Sequence, residues 1–169
     1  MSGEAGRHPA FVDLSPLSAE LTALLGVRRW ADAVVAGGPY QDVDAAVAAV
    51  RSVGAGLSDG EVDEALGHHP RIGERPRGDS AANAAAASQA EQGGIASGHR
   101  SAERIADGNR RYEARFGRVF LIRAAGRSTD DVLVQLEQRL LNDDATELRA
   151  VRAELVDIGV LRTRSLLER

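Results

Sequence analysis

The stretch from Ala145 to Leu167, ATELRAVRAELVDIGVLRTRSLL, decides the fold class. Its Leu148, Val151, Leu155, Ile158, Leu161 and Leu166 recur mostly at steps of three or four, which lays them along one side of an α-helix. Asn142-Asp143-Asp144 breaks the chain just ahead of it. Working outward, Ser128 caps another helix, with Asp130 and Asp131 placed to favour its N-terminus. A further helix runs from Arg100 to Arg115 and stops at Phe116-Gly117. Ser80 caps an alanine-rich helix through Gln92, since alanine has the strongest helix propensity. In the first half, Leu14 to Leu25 reads as a helix with Ser15 as cap and Pro16 at its first position, ended by Gly26. Arg28 to Ala36 follows, closed by Gly37-Gly38-Pro39. Asp42 or Asp44 opens a third that continues to about Val53. Ser58-Asp59-Gly60-Glu61 has the form of a capping box and starts a fourth, ending at Gly67. Val119-Phe120-Leu121-Ile122 is the one strand-like run, too short to build a sheet, and reads as an extended or helical core segment. The expected architecture is all-α, a single-domain bundle of about eight helices over residues 14–169. Residues 1–13 are expected to form a flexible N-terminal segment.

Composition narrows the function. The 169 residues suit one domain with a real core. Aromatic residues make up only 4% of the chain against 43% hydrophobic, so the core must be built from Leu, Val, Ile and Ala. The net charge is −4 with both signs interspersed, and no basic patch stands out of the kind that phosphate binding requires, which argues against a nucleic-acid surface. Cysteine is absent, so disulfide and thiolate chemistry are ruled out. No apolar run approaches a membrane span and no signal-peptide core precedes the first helix, so a soluble cytoplasmic protein is expected. The chain ends Leu167-Glu168-Arg169, and no peroxisomal address is read there.

The reactive side chains gather elsewhere, in His68-His69-Pro70-Arg71-Ile72-Gly73 and in Ser88-Gln89-Ala90-Glu91-Gln92-Gly93. A residue before proline is pushed out of the α region, so His69 is expected to project from a stiffened loop. Ser88, Glu91 and Gln92 share one helix face at i, i+3 and i+4. Gly93-Gly94 leaves Glu91 near the negative end of the helix dipole, an unfavourable choice unless something offsets it. Glu74 to Asp79 reads as a surface loop and a candidate lid. Simpler readings stand beside these. A histidine after Gly67 can cap the last carbonyls of its helix, and Glu91 and Gln92 can solvate a helix end. A metal site is the weaker alternative, because no H-x-x-x-H spacing occurs and His99 would have to converge from far along the chain.

Taken together, these motifs resemble the 2-oxo-4-hydroxy-4-carboxy-5-ureidoimidazoline (OHCU) decarboxylases of urate breakdown. The resemblance runs through Arg29-Trp30-Ala31, Pro39-Tyr40, His69-Pro70-Arg71-Ile72-Gly73 and the run from Ser88 to Gly94. It continues through Asn109, Tyr112, Arg115-Phe116-Gly117, Gly126-Arg127-Ser128, Arg139-Leu140, Asn142-Asp143, Glu147 and Leu161-Arg162. It implies an all-helical homodimer that turns OHCU into (S)-allantoin with no cofactor and no metal. It also implies that His69 is the acid/base histidine and Glu91 its partner carboxylate. Substrate contacts are implied for Pro70, Ser88, Gln92, the backbone around Leu121, Ile122 and Ala125, and Arg162 from the terminal helix. Ala125 stands where many relatives carry arginine, and Arg123 or Arg127 is the candidate to replace it. The implied chemistry suits these residue types. Loss of CO2 from C4 leaves an electron pair that the adjacent C5=N imine accepts, so the protein needs a proton handler and donors for the ureido arm. The reading from another class is a helical module that keeps the scaffold and acts by binding a partner.

Overall fold

The computed structural model describes residues 11–73 and 99–169. The expected helix from Ser80 to Gln92, the candidate lid and residues 1–10 lie outside them. Among the described residues there are seven α-helices and no strand. They are α1 (Ser18–Leu25), α2 (Arg28–Ala36), α3 (Val43–Ala55), α4 (Asp59–Gly67), α5 (His99–Phe116), α6 (Thr129–Arg139) and α7 (Asp144–Leu167).

Most helix starts are those that the capping chemistry predicts. Ser58 accepts from the Glu61 N–H while the Glu61 carboxylate takes the Ser58 N–H, and Ser128 and Asp131 do the same for α6. Asp42 and Asp143 cap α3 and α7 by accepting from Ala45 and Thr146. The first helix differs from expectation. Ser15 does not cap it; the Asp13 carboxylate takes the Ser15 N–H at 2.9 Å, and Ser15–Leu17 form a short 3-10 turn ahead of α1. The Leu17 N–H that a Ser15 cap would take bonds the Leu14 carbonyl instead, at 3.0 Å.

The terminal helix is the spine. α7 packs chiefly along α3 and also against α1 and α4, while α5 pairs with α6. Two apolar clusters result. One joins Trp30, Leu25, Val50 and Leu66 to Val151, Leu155 and Ile158 on α7. The other joins Ile72 and Ile105 to Tyr112, Phe120, Val132 and Leu136. The run Val119–Ile122 is neither strand nor helix. Leu121 enters the first cluster, while Phe120 and Ile122 enter the second. Neighbouring side chains that point to opposite sides mark an extended backbone, here threaded between the two cores.

A buried ion pair fixes that thread. Arg139, at the end of α6, and Glu147, in the first turns of α7, are 6% and 0% exposed. The Arg139 Nε donates to Glu147 Oε1 at 2.7 Å, and its Nη1 donates to the Leu121 carbonyl at 2.7 Å. Glu147 also accepts from the Tyr112 hydroxyl and from Asn142 Nδ2. Burial and the adjacent carboxylate push the Tyr112 phenol well above its ordinary pKa, so it stays an O–H donor. Each buried charge thus has several partners, the condition under which such a pair is tolerated. Removing one partner should be costly. Arg139→Leu is expected to lower stability by about 3–5 kcal/mol, and Arg139→Leu with Glu147→Leu by less, read from urea unfolding midpoints.

Candidate functional site

The site begins at the end of α4. His68 closes the helix, and the His69 N–H still bonds the Leu66 carbonyl at 3.2 Å before Pro70 forces the chain out. The His69 ring folds back, so that Nδ1 lies 2.8 Å from the Ala65 carbonyl oxygen. A carbonyl only accepts, so Nδ1 carries the proton and Nε2 holds a lone pair. The capping role for a histidine after Gly67 is therefore met. The same bond sets the tautomer that leaves Nε2 as a base.

That Nε2 faces Arg162, whose Nη1 is 3.3 Å away. Arg162 comes from α7 and is 5% exposed; His69 is 8% exposed. Arg162 Nη1 also donates to the Leu24 carbonyl at 2.8 Å, placing a cation at the C-terminus of α1. Burial first, then the Arg162 charge, hold the His69 imidazole down at about 4, against the opposing pull of the Ala65 carbonyl. At neutral pH the ring is a neutral hydrogen-bond acceptor.

The helix ends meet closely. Gly26 ends α1 with a φ of 77°, a conformation that favours glycine. A Cβ placed there would lie 2.2 Å from the His68 ring, so only glycine lets the α1 and α4 termini approach. On its far side the histidine loop is held by α5. Asn109 Nδ2 donates to the Ile72 carbonyl at 3.0 Å, and one turn on, Glu113 pairs with Arg71 at 2.8 Å. The Arg71 guanidinium keeps the Glu113 carboxyl below its ordinary range.

The structure thus brings His69, Pro70 and Arg162 together. Leu66 and Ile72, which bracket His69 in the chain, lie in the same clusters as Leu121 and Ile122 respectively. The Leu121 carbonyl is taken by Arg139 and the Arg123 N–H by Glu154 Oε2 at 2.7 Å. Both candidate replacement arginines turn back on their own loop. Arg123 Nη1 reaches the Ala125 carbonyl at 3.4 Å, and Arg127 Nε the Arg123 carbonyl at 3.0 Å. Ser88, Glu91 and Gln92 lie outside the described residues. Sequence reasoning assigned no role to Asn109, Arg139, Glu147 or Glu154, which hold the loops in place. One signal was available: Glu147 and Arg162 stand four residues outside the apolar positions Val151 and Ile158, on the buried face of α7.

Hollows elsewhere are a poorer match to this chemistry. An open groove of about 1160 Å³ between α5 and α6 is lined mainly by charged side chains such as Arg104, Asp107, Arg111 and Glu137, several of them in ion pairs. A smaller one of about 300 Å³ lies beside Arg71, Gly73 and Asn109. Among the described residues no three His, Asp or Glu side chains cluster as a metal site would require.

Comparison with known proteins points one way. The family model for OHCU decarboxylase matches residues 13–164. A crystal structure of OHCU decarboxylase in the presence of (S)-allantoin is similar in fold, with a TM-score of 0.75 at 24% identity. The likeness covers 89% of this chain and 98% of that one. No curated protein matches the chain.

The geometry predicts a titration. His69 should remain the neutral Nδ1–H tautomer through pH 6, with a midpoint near 4 in nitrogen-detected NMR. Arg162→Met should move that midpoint upward by removing the adjacent cation. Between pH 6.5 and 4 the unfolded chain binds this proton and the folded chain does not, so acidification weakens the fold. The loss attributable to His69 should reach on the order of 3 kcal/mol by pH 4, measured as unfolding free energy against pH for wild type and His69→Asn.

Proposed function

The chain belongs to the OHCU decarboxylase family, and we propose that His69 is the proton-handling residue of its reaction. That reaction removes CO2 from 2-oxo-4-hydroxy-4-carboxy-5-ureidoimidazoline to give allantoin in the breakdown of urate. The observation that carries the assignment is the buried His69 Nε2, left as a lone-pair acceptor by the Nδ1 bond to Ala65 and lying 3.3 Å from a guanidinium.

The proposed sequence of events is short. Arg162 meets the substrate carboxylate, and Nε2 takes the 4-hydroxyl proton. The C4–carboxylate bond breaks, its electrons form a C4=C5 double bond, and the imine nitrogen takes up a proton from solvent. Collapse of the hydroxyl oxygen to a C4 carbonyl and delivery of a proton to one face of C5 give the S enantiomer. The imine itself accepts the electron pair, so the step needs no metal or organic cofactor. A bound carboxylate offsets the field that Arg162 exerts on His69, which raises the basicity of the imidazole while the carboxylate is present. CO2 leaves neutral and the negative charge stays on the substrate ring until protonation quenches it, after which the Arg162 field again makes the protonated imidazole a strong acid. Glu91, placed by resemblance, would orient the imidazole or bind ring N–H groups. Pro70, Ser88 and Gln92, with the backbone at Leu121, Ile122 and Ala125, would hold the ring and ureido arm. Positioned acid/base catalysis of this kind contributes about 10²–10⁴ in rate.

Among the described residues no helix is long and apolar enough to cross a membrane. The proposal extends, through the family resemblance, to a homodimer acting in the cytoplasm.

The test follows chirality. Added to urate undergoing oxidation by urate oxidase and hydroxyisourate hydrolase, the chain should produce optically active allantoin faster than the spontaneous racemic product forms, as read by circular dichroism. His69→Asn should lose at least about 10²-fold in kcat while keeping the helical spectrum. A racemic course at the spontaneous rate would instead support a binding module, and a His69→Asn variant near wild-type turnover would remove His69 from the mechanism.

A further inference from the structure

The extended thread at residues 120–122 carries more than its side chains. Two charged residues grip its backbone, one on each side of Ile122. Arg139 holds the carbonyl of the Leu121–Ile122 peptide, and Glu154 holds the N–H of the Ile122–Arg123 peptide. A trans peptide is planar, with its N–H and C=O pointing in opposite directions. The first grip therefore turns the Ile122 N–H away from Arg139, and the second turns the Ile122 carbonyl away from Glu154. In an extended chain the N–H and C=O of one residue emerge on the same edge, as in a hydrogen-bonded pair of an antiparallel ladder. Both anchors lead to α7, through Glu147 and Glu154, which are two turns apart on one face of that helix.

The edge so exposed is chemically open. Ile122 is 3% exposed, yet among the described residues neither its N–H nor its carbonyl has a hydrogen-bond partner, and the same is true of the N–H groups of Ala124 and Ala125. Buried backbone groups are nearly always paired, because an unpaired one has given up its hydrogen bonds to water with nothing in return. A donor and an acceptor side by side complement a ligand edge bearing a carbonyl next to an N–H, as in a lactam, urea or amide.

We propose that Arg139 and Glu154 are positioning residues that aim the Ile122 N–H and C=O at the amide edge of the substrate. The proposal rests on the decarboxylase reading and names how the ureido and ring amides are held. Neither residue touches substrate; each acts through a peptide plane. A side-chain anchor of this kind makes recognition depend on acceptor geometry at Glu154 rather than on its charge.

The test uses the full chain. Glu154→Ala should raise KM about tenfold with kcat changed less than about threefold, and should leave the His69 titration where it is. Glu154→Gln keeps an acceptor for the Arg123 N–H and should restore KM to within about threefold of wild type. An unchanged KM in Glu154→Ala, or equal damage in Glu154→Gln, overturns the proposal. A readout on the wild type guards against a variant that does not fold. On addition of (S)-allantoin the Ile122 amide proton should shift downfield and exchange more slowly. Turnover with a silent Ile122 amide sinks this proposal alone, whereas absence of wild-type turnover sinks the reading of function itself.

Discussion

One helix buries a charge at each end of its core-facing stripe, and the rest of the molecule is arranged to tolerate this. On α7 the sequence Glu147, Val151, Leu155, Ile158, Arg162 runs along a single buried face. Three apolar positions in the middle secure the helix against the first core cluster. The two charged ends cannot be left unpaired, since an isolated buried ion is far costlier than any single apolar contact is favourable. They lie about 22 Å apart along the axis at 1.5 Å per residue, too far to answer each other. Each therefore draws its own partners: Glu147 gathers Arg139, Tyr112 and Asn142, while Arg162 settles on the open carbonyl end of α1. The first assembly is structural and shapes a loop. The second puts a cation next to an imidazole.

At that second end, opposing effects act on one ring. The last turn of α4 offers His69 a carbonyl, which by itself would favour the protonated form. Burial and the Arg162 charge oppose it and prevail, so the imidazole stays neutral far below its ordinary range. Had the helix end won, Nε2 would carry a proton and face Arg162 as like charge to like charge. The capping bond and the cation are thus complementary in function: the first selects which nitrogen is bare, and the second keeps it bare.

Much of this was legible beforehand, and what was not has a physical reason. The caps at Asp42, Ser58 and Ser128 are local, involving residues three apart, so the sequence displays them directly. The His-Pro turn is local for the same reason. Arg139 was harder, because a basic residue in the last turn of a helix ordinarily reaches solvent or supports the dipole. Its burial depends on the turn at Asn142-Asp143 bringing Glu147 back beside it, and on Tyr112 arriving from another helix altogether. Glu154 gave still less away, lying on the flank of the apolar stripe where a charged residue is the default. Ser15 failed as a cap because the chain enters a 3-10 turn there and the Leu17 N–H goes to the Leu14 carbonyl.

The loop after Ile122 shows why an arginine can be absent from it without leaving the site short of one. Ala125 offers no side-chain charge, and the neighbouring guanidiniums do not stand in for it: Arg123 and Arg127 bond backbone carbonyls of their own loop, and Arg127 leans toward Glu154 at 4.0 Å. Their contribution is to hold a backbone shape, which requires donors of the right reach rather than charge directed at a ligand. The cation beside His69 comes instead from α7. A guanidinium on a long, packed helix is held more rigidly than one on a loop. Arg162 is further fixed by the Leu24 carbonyl. Charge is thus supplied by a helix and shape by a loop, and a loop relieved of carrying charge can present bare peptide groups without like-charged or competing side chains beside them.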